Sequence, residues 1–159
     1  MHRKAGRNGV AILALAMTAI VEEQRMLDYV VEAKRVDAHA GMATCKRADL
    51  RFDIDVAGRD DAFNPAELFL ASIAACMLKG IERVTPMLGF ALDGVDIRLH
   101  AIRQDSPPRI VEVTYELIVD TDESAQRLEL LHTNVRKYGT IFNTVRDAAN
   151  LHGTIARKG

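Results

Sequence analysis

Two thiols and a short row of cations are the residues in this 159-residue chain whose types and spacing suggest chemistry. Cys76 lies inside an Ala-rich apolar segment, with Lys79 three residues and Arg83 seven residues after it. On a helix both spacings return to nearly the same face. A nearby cation favours the thiolate, which is the nucleophilic form. The ordinary alternative for Cys76 is an inert core cysteine, because free thiols are often buried. Lys79 and Arg83 have an equally ordinary alternative as solvent-facing charges. Cys45 reads as a strand residue, able to meet Cys76 only if the fold brings their Cα atoms within about 7 Å.

Two cysteines are too few for a disulfide framework, and neither belongs to a CxxC or Cys/His zinc spacing. A reducing compartment, the cytoplasm, is therefore expected. His2, His39, His100, His132 and His152 fall in separate segments, so no metal site is expected. A formal net charge of -1, with 48% hydrophobic and 27% charged residues, describes an ordinary globular protein. It offers no broad attraction for nucleic acid or a membrane surface. The length suits one hydrophobic core.

Residues 1–25 differ from the rest. His2, Arg3, Lys4 and Arg7 precede an apolar run from Val10 to Val21 broken only by Thr18, the charge and length pattern of a signal peptide. The run is too short to span a bilayer as a helix. It passes directly into Glu22 and Glu23 without a small-x-small cleavage pattern, which disfavours export. Two other readings are a translation start at Met26, where the regular domain pattern begins, and an added amphipathic helix. The domain proper is read as residues 26–159.

The elements that must position Cys76 follow from periodicity. A strand is expected over Tyr29–Val36, a turn over Asp37–Gly41, and a second strand over Met42–Arg47. Leu50, Phe52, Ile54 and Val56 alternate with charged residues, which predicts a strand with one buried face. Asn64, Pro65 and Glu67 form a helix start with a cap, a first-position proline and a capping-box carboxylate. That helix runs to about Leu88, ended by Pro86 and Gly89. Strands follow around Val95–Leu99 and Val111–Val119, joined by Asp105–Pro108. A helix over Glu123–Tyr138 carries Leu128, Leu131, Val135 and Tyr138 on one side. Gly139 reads as the left-handed residue ending it. A short helix over Ile141–Ala148 and a last strand over Leu151–Arg157 complete the chain. Clustered strands and clustered helices argue for an α+β fold with mostly antiparallel sheets. A long central helix, apolar around most of its circumference, needs cover that a homodimer would supply.

The run Asn64-Pro65-Ala66-Glu67-Leu68-Phe69-Leu70-Ala71-Ser72-Ile73-Ala74-Ala75-Cys76 resembles the OsmC/Ohr family, whose central helix opens on an NPxEL-like motif and carries a reactive cysteine. The order of elements from Met26 onward resembles the family as well. The resemblance implies an OsmC-like fold, an intertwined homodimer, and in active members a thiol-dependent reduction of hydroperoxides in oxidative-stress defence. Cys76 matches the peroxidatic position, whose sulfenic acid a second thiol resolves.

This sequence departs from the family pattern in three places. Gly139 stands where the second cysteine is expected. Position 66 is Ala where the family often has a carboxylate, and Glu67 lies roughly 180° around the helix from Cys76, which suits capping better. The arginine expected in the first hairpin is absent, leaving Arg35 and His39 as the nearest candidates beside Lys79 and Arg83 for stabilising the thiolate. Phe69, Ile73, Tyr138 and Gly139 are the candidate lining of a binding pocket, with His132 near it. Tyr138 also reads as a core residue. The resulting expectation is a one-cysteine hydroperoxide reductase that needs an external thiol and no other cofactor. The alternative is a non-catalytic dimer that binds an apolar small molecule.

Overall fold

The computed structural model describes residues 26–159, so the expectations for residues 1–25 lie outside the described residues. Helix α1, Pro65–Leu88, begins as its sequence dictates. The Asn64 side chain accepts from the N–H groups of Ala66 and Glu67 at 2.9 and 3.0 Å, and the Glu67 carboxylate accepts from the Asn64 N–H at 2.8 Å. Three otherwise unpaired backbone donors are thereby satisfied. Gly89 closes the helix in the left-handed region at φ 55°. Arg127 donates to the free carbonyls of Leu88 and Gly89 at 3.0 and 2.9 Å.

Before α1 come β1 (Glu32–Arg35), β2 (Ala40–Cys45) and β3 (Ala48–Asp53); after it come β4 (Gly94–Asp105), β5 (Pro108–Asp120), α2 (Ala125–Tyr138), α3 (Thr140–Arg146) and β6 (Asn150–Arg157). The first three strands form an antiparallel sheet in the order β1-β2-β3. The second sheet is β4-β5-β6, antiparallel between β4 and β5 and parallel between β5 and β6.

The core sits between this second sheet and the helices. Val113, Tyr115, Leu117 and Val119 alternate inward from β5 against Ile73, Met77, Ile81 and Val84 of α1 and Leu128, Leu131 and Val135 of α2. The period of two on the strand meets the helical stripes, and burial of these side chains is the main stabilising term.

The first sheet departs from expectation. β1 spans four residues rather than the whole Tyr29–Val36 stretch, and β2 ends at Cys45 because Lys46 and Arg47 form the turn into β3. Lys46 takes φ 58°, which breaks the strand there. The expected buried face on β3 is not covered within one chain: Leu50 is 45% exposed and Val56 beyond it is fully exposed. No helix packs substantially on this sheet to bury that face.

Candidate functional site

Cys76 is half-buried on the middle of α1, where the helix meets α2. Glycines set the closeness of that meeting. A Cβ placed on Gly80 would lie 3.3 Å from the Val135 Cγ1, and one placed on Gly139 would lie 3.5 Å from the Cys76 Sγ. Moving four residues along α1 thus moves four residues back from Gly139, so the two helices run antiparallel here with Cys76 opposite Gly139. The same Gly139 position is bounded by the Phe142 Cβ at 3.0 Å and the Val135 carbonyl oxygen at 3.2 Å. A sulfur carried on a side chain at 139 would lie within bonding reach of Cys76.

Gly139 is not the left-handed residue expected from sequence. Its φ of -78° and ψ of 107° are open to any L-residue. What restricts the position is the space between Phe142, Val135 and Cys76.

The cations beside the thiol are divided. Arg83 places its guanidinium carbon 5.3 Å from the centre of the Tyr138 ring, and Lys137 places its ammonium 5.3 Å from the same ring. Tyr138 is half-buried against the core with both cations over its ring, a cation–π arrangement. Lys79 is exposed one turn after Cys76. Arg35 and His39 are not brought to Cys76 within the chain. Arg35 ends β1 opposite Gly41, and His39, in the turn between β1 and β2, holds the Asp55 carboxylate at 2.5 Å through Nδ1; α1 does not pack substantially on the first sheet. That hydrogen bond, after the one from the Ala57 N–H, holds the Asp55 carboxyl below its usual range.

Of the residues expected to line a pocket, Ile73 is fully buried in the core, Phe69 is partly buried against it, and Gly139 is buried with Phe142 beside it. Open clefts among the described residues lie elsewhere. One of about 480 Å³ lies at the far end of α1, lined by Glu82, Thr85, Pro86, Phe90 and Asp93 among others, and one of about 320 Å³ lies between α2 and β6. Cys76 lines neither. Cys45 ends β2 opposite Ala48, and both cysteines are free thiols.

Sequence reading missed a buried polar pair between β5 and α2. The Tyr115 hydroxyl lies 2.7 Å from His132 Nε2, and Phe142 packs edge-on to the Tyr115 ring with centroids 6.1 Å apart. His132 is 4% exposed, and burial, helped by the Arg136 charge, pushes its pKa below the ordinary value. With a neutral imidazole the hydroxyl donates to Nε2. Burial pushes the Tyr115 pKa up. The spacing of Tyr115 within an alternating strand marks it as inward-facing, but its partner on α2 is separated by 17 residues and leaves no local signal. Among the described residues no three of His, Cys, Asp and Glu converge as metal ligands, and no helix is long and apolar enough to cross a membrane.

The fold is similar to solved structures. The OsmC like protein from Mycoplasma pneumoniae superposes with a TM-score of 0.77 over 85% of this chain and 100% of that one, at 14% identity. The organic hydroperoxide resistance protein OhrB of Bacillus subtilis gives a TM-score of 0.60 over 84% of this chain and 100% of its own, at 21% identity. The Legionella pneumophila protein described as an organic hydroperoxide resistance protein OsmC and predicted redox protein gives 0.60 over 86% and 100%, at 18% identity. Among curated protein sequences none matches. The family model for OsmC-like protein matches residues 58–152, a stretch that takes in α1, both strands β4 and β5, α2 and α3. With the capped helix, the thiol opposite the end of α2 and the two sheets all in place, the chain belongs to the OsmC-like protein family.

Proposed function

We propose that this chain is a homodimeric one-cysteine hydroperoxide reductase whose Cys76 is returned to the thiol by an external thiol. The observation that carries the reading is Cys76 itself, half-buried on a capped helix and facing Gly139, where an added Cβ would lie 3.5 Å from the Cys76 Sγ. The thiolate attacks the terminal oxygen of the hydroperoxide and the O–O bond breaks. Sulfur is oxidised to the sulfenic acid, and the leaving alkoxide takes a proton to become the alcohol. Condensation with an external thiol forms a mixed disulfide and water. A second thiol then releases Cys76 as thiolate and carries away the disulfide. Gly139 offers no sulfur to compete with these steps.

The relatives named for organic hydroperoxide resistance support hydroperoxide as the substrate class. A second copy of the chain is the proposed cover for the first sheet and the segments flanking it, where Leu50 on β3 is 45% exposed and Tyr29, Val30 and Phe63 outside the strands are 79%, 67% and 53% exposed. A small sheet needs a hydrophobic face to bury or a helix packed on it for independent stability. A cytoplasmic location accords with two free thiols.

The experiment is thiol titration after adding one equivalent of an organic hydroperoxide to the full chain. The expected result is loss of one thiol, recovered by added small thiol, and no loss at that site in Cys76→Ser. Peroxide consumption by Cys76→Ser at the parent rate overturns the reading. An unreactive Cys76 in protein that carries a co-purified apolar ligand would replace it with the binding role.

A further inference from the structure

We propose that the external thiol used at Cys76 is an anionic small thiol, one bearing a carboxylate several bonds from its sulfur. This rests on the one-cysteine reading above and names its reductant. Gly139 adjoins the Cys76 Sγ across the α1–α2 contact, and the exposed residues around that contact are cationic: Lys79 one turn along α1, Arg83 two turns along, and Lys137 at the end of α2. Arg83 and Lys137 converge on the Tyr138 ring, each 5.3 Å from its centre, and Tyr138 immediately precedes Gly139.

The ion pairs among the described residues include none of these three cations. Glu82 lies between Lys79 and Arg83 in sequence but lines the cleft at the far end of α1. It is turned about 120° around the helix from Cys76 and about 60° from Lys79, with no ion pair formed between the two. The cations therefore form a track that no carboxylate of the described residues holds in an ion pair. It extends from about 4 Å to about 10 Å along the helix from the thiol. A tethered sulfur at Cys76 would set its carrier's carboxylates against Lys79 and Arg83, with Tyr138 as an apolar floor.

The reaction balances without further groups. The sulfenic acid and the anionic thiol give the mixed disulfide and water; a second anionic thiolate attacks the carrier's sulfur and Cys76 leaves as thiolate. The cations act on the carboxylate of the incoming thiol, raising its local concentration and orienting it.

The test separates this step from peroxide chemistry. In a Cys45→Ser background, Cys76 is converted to its thiopyridyl mixed disulfide with dipyridyl disulfide, and thiopyridone release is followed. The attacking thiols are N-acetylcysteine against N-acetylcysteine amide, and glutathione against its diethyl ester, with every rate expressed per thiolate. The expected result is about five- to tenfold faster reaction for the carboxylate form of each pair at low salt. That ratio falls within about twofold in 1 M NaCl, where charges are screened beyond about 3 Å. It falls likewise in the triple variant Lys79→Gln, Arg83→Gln, Lys137→Gln. Because the ratio is taken within one protein, a change in Cys76 reactivity itself cancels. Equal or faster reaction of the uncharged thiols at low salt overturns the inference, as does a Cys76 that dipyridyl disulfide cannot modify. A normal ratio with no sulfenic acid on peroxide addition would instead overturn the peroxidase reading alone.

Discussion

Gly139 faces Cys76 across the α1–α2 contact, its empty Cβ position 3.5 Å from the Cys76 Sγ. Substitution Gly139→Cys should therefore give a chain that oxidises to an internal disulfide. In a Cys45→Ser background, one equivalent of hydroperoxide should remove both thiols and leave a mass lower by about two hydrogens. Fitting the new side chain against Phe142 and the Val135 carbonyl should cost about 1–2 kcal/mol in the reduced form, read from urea unfolding. A stable sulfenic acid with both sulfurs unbridged would contradict the geometry.

The buried Tyr115–His132 pair predicts a pH dependence of stability. Burial first, and then Arg136, lower the His132 pKa from 6.5 in the folded chain. Above 6.5 the imidazole is neutral in both folded and unfolded chains, and its contribution is fully present. As pH falls through 6.5 the unfolded chain takes up the proton before the folded one does, so stability declines toward the lowered folded pKa and then levels. The carboxylates held below their usual range, among them Asp55 and Glu123, titrate in a more acid window. Urea midpoints between pH 7.5 and 5 should fall in the parent and fall less in His132→Gln. Parallel curves would remove His132 as the cause.

Asn64→Ala should destabilise the chain by about 1–2 kcal/mol, since it strips the acceptor from two helix N–H groups. Asn64→Asp, which keeps that acceptor, should lose much less. Denaturant unfolding of the two variants distinguishes a cap from a side chain acting on the thiol, because thiol alkylation rates should stay at the parent value in both.

The exposed apolar residues on and flanking the first sheet predict self-association. Sedimentation should give twice the chain mass, and replacing Val30 and Phe63 together by Asp should shift the population to monomer. An unchanged monomer in the parent would leave that face to another partner.

The helix that carries the thiol was legible from sequence because Asn64, Pro65, Glu67 and Gly89 act on their own neighbours. Cys76 and Gly139 were legible as residues of interest, but the reason for the glycine was not: a glycine after Arg136 and Lys137 matches a left-handed cap, whereas a shortage of space set by Phe142 and Val135 leaves no sequence mark. Arg83 fits a thiol-facing spacing, yet its partner is the Tyr138 ring on another helix. The alternation Leu50, Phe52 states that a face wants cover without stating which surface supplies it. The parallel pairing of β6 with β5, and the meeting of Tyr115 with His132, depend on how distant segments close together and have no local signature.

The capping box at the head of α1 has a meaning for descent as well as for folding. Asn64 and Glu67 spend their hydrogen-bonding groups on backbone N–H atoms three turns away from Cys76 and on one another's main chain. Selection for a well-formed helix is enough to keep them. A lineage could exchange its resolving cysteine for Gly139, or abandon the thiol, while this signature persisted unchanged, so heritable retention of the motif tracks the scaffold and leaves the chemistry free to drift.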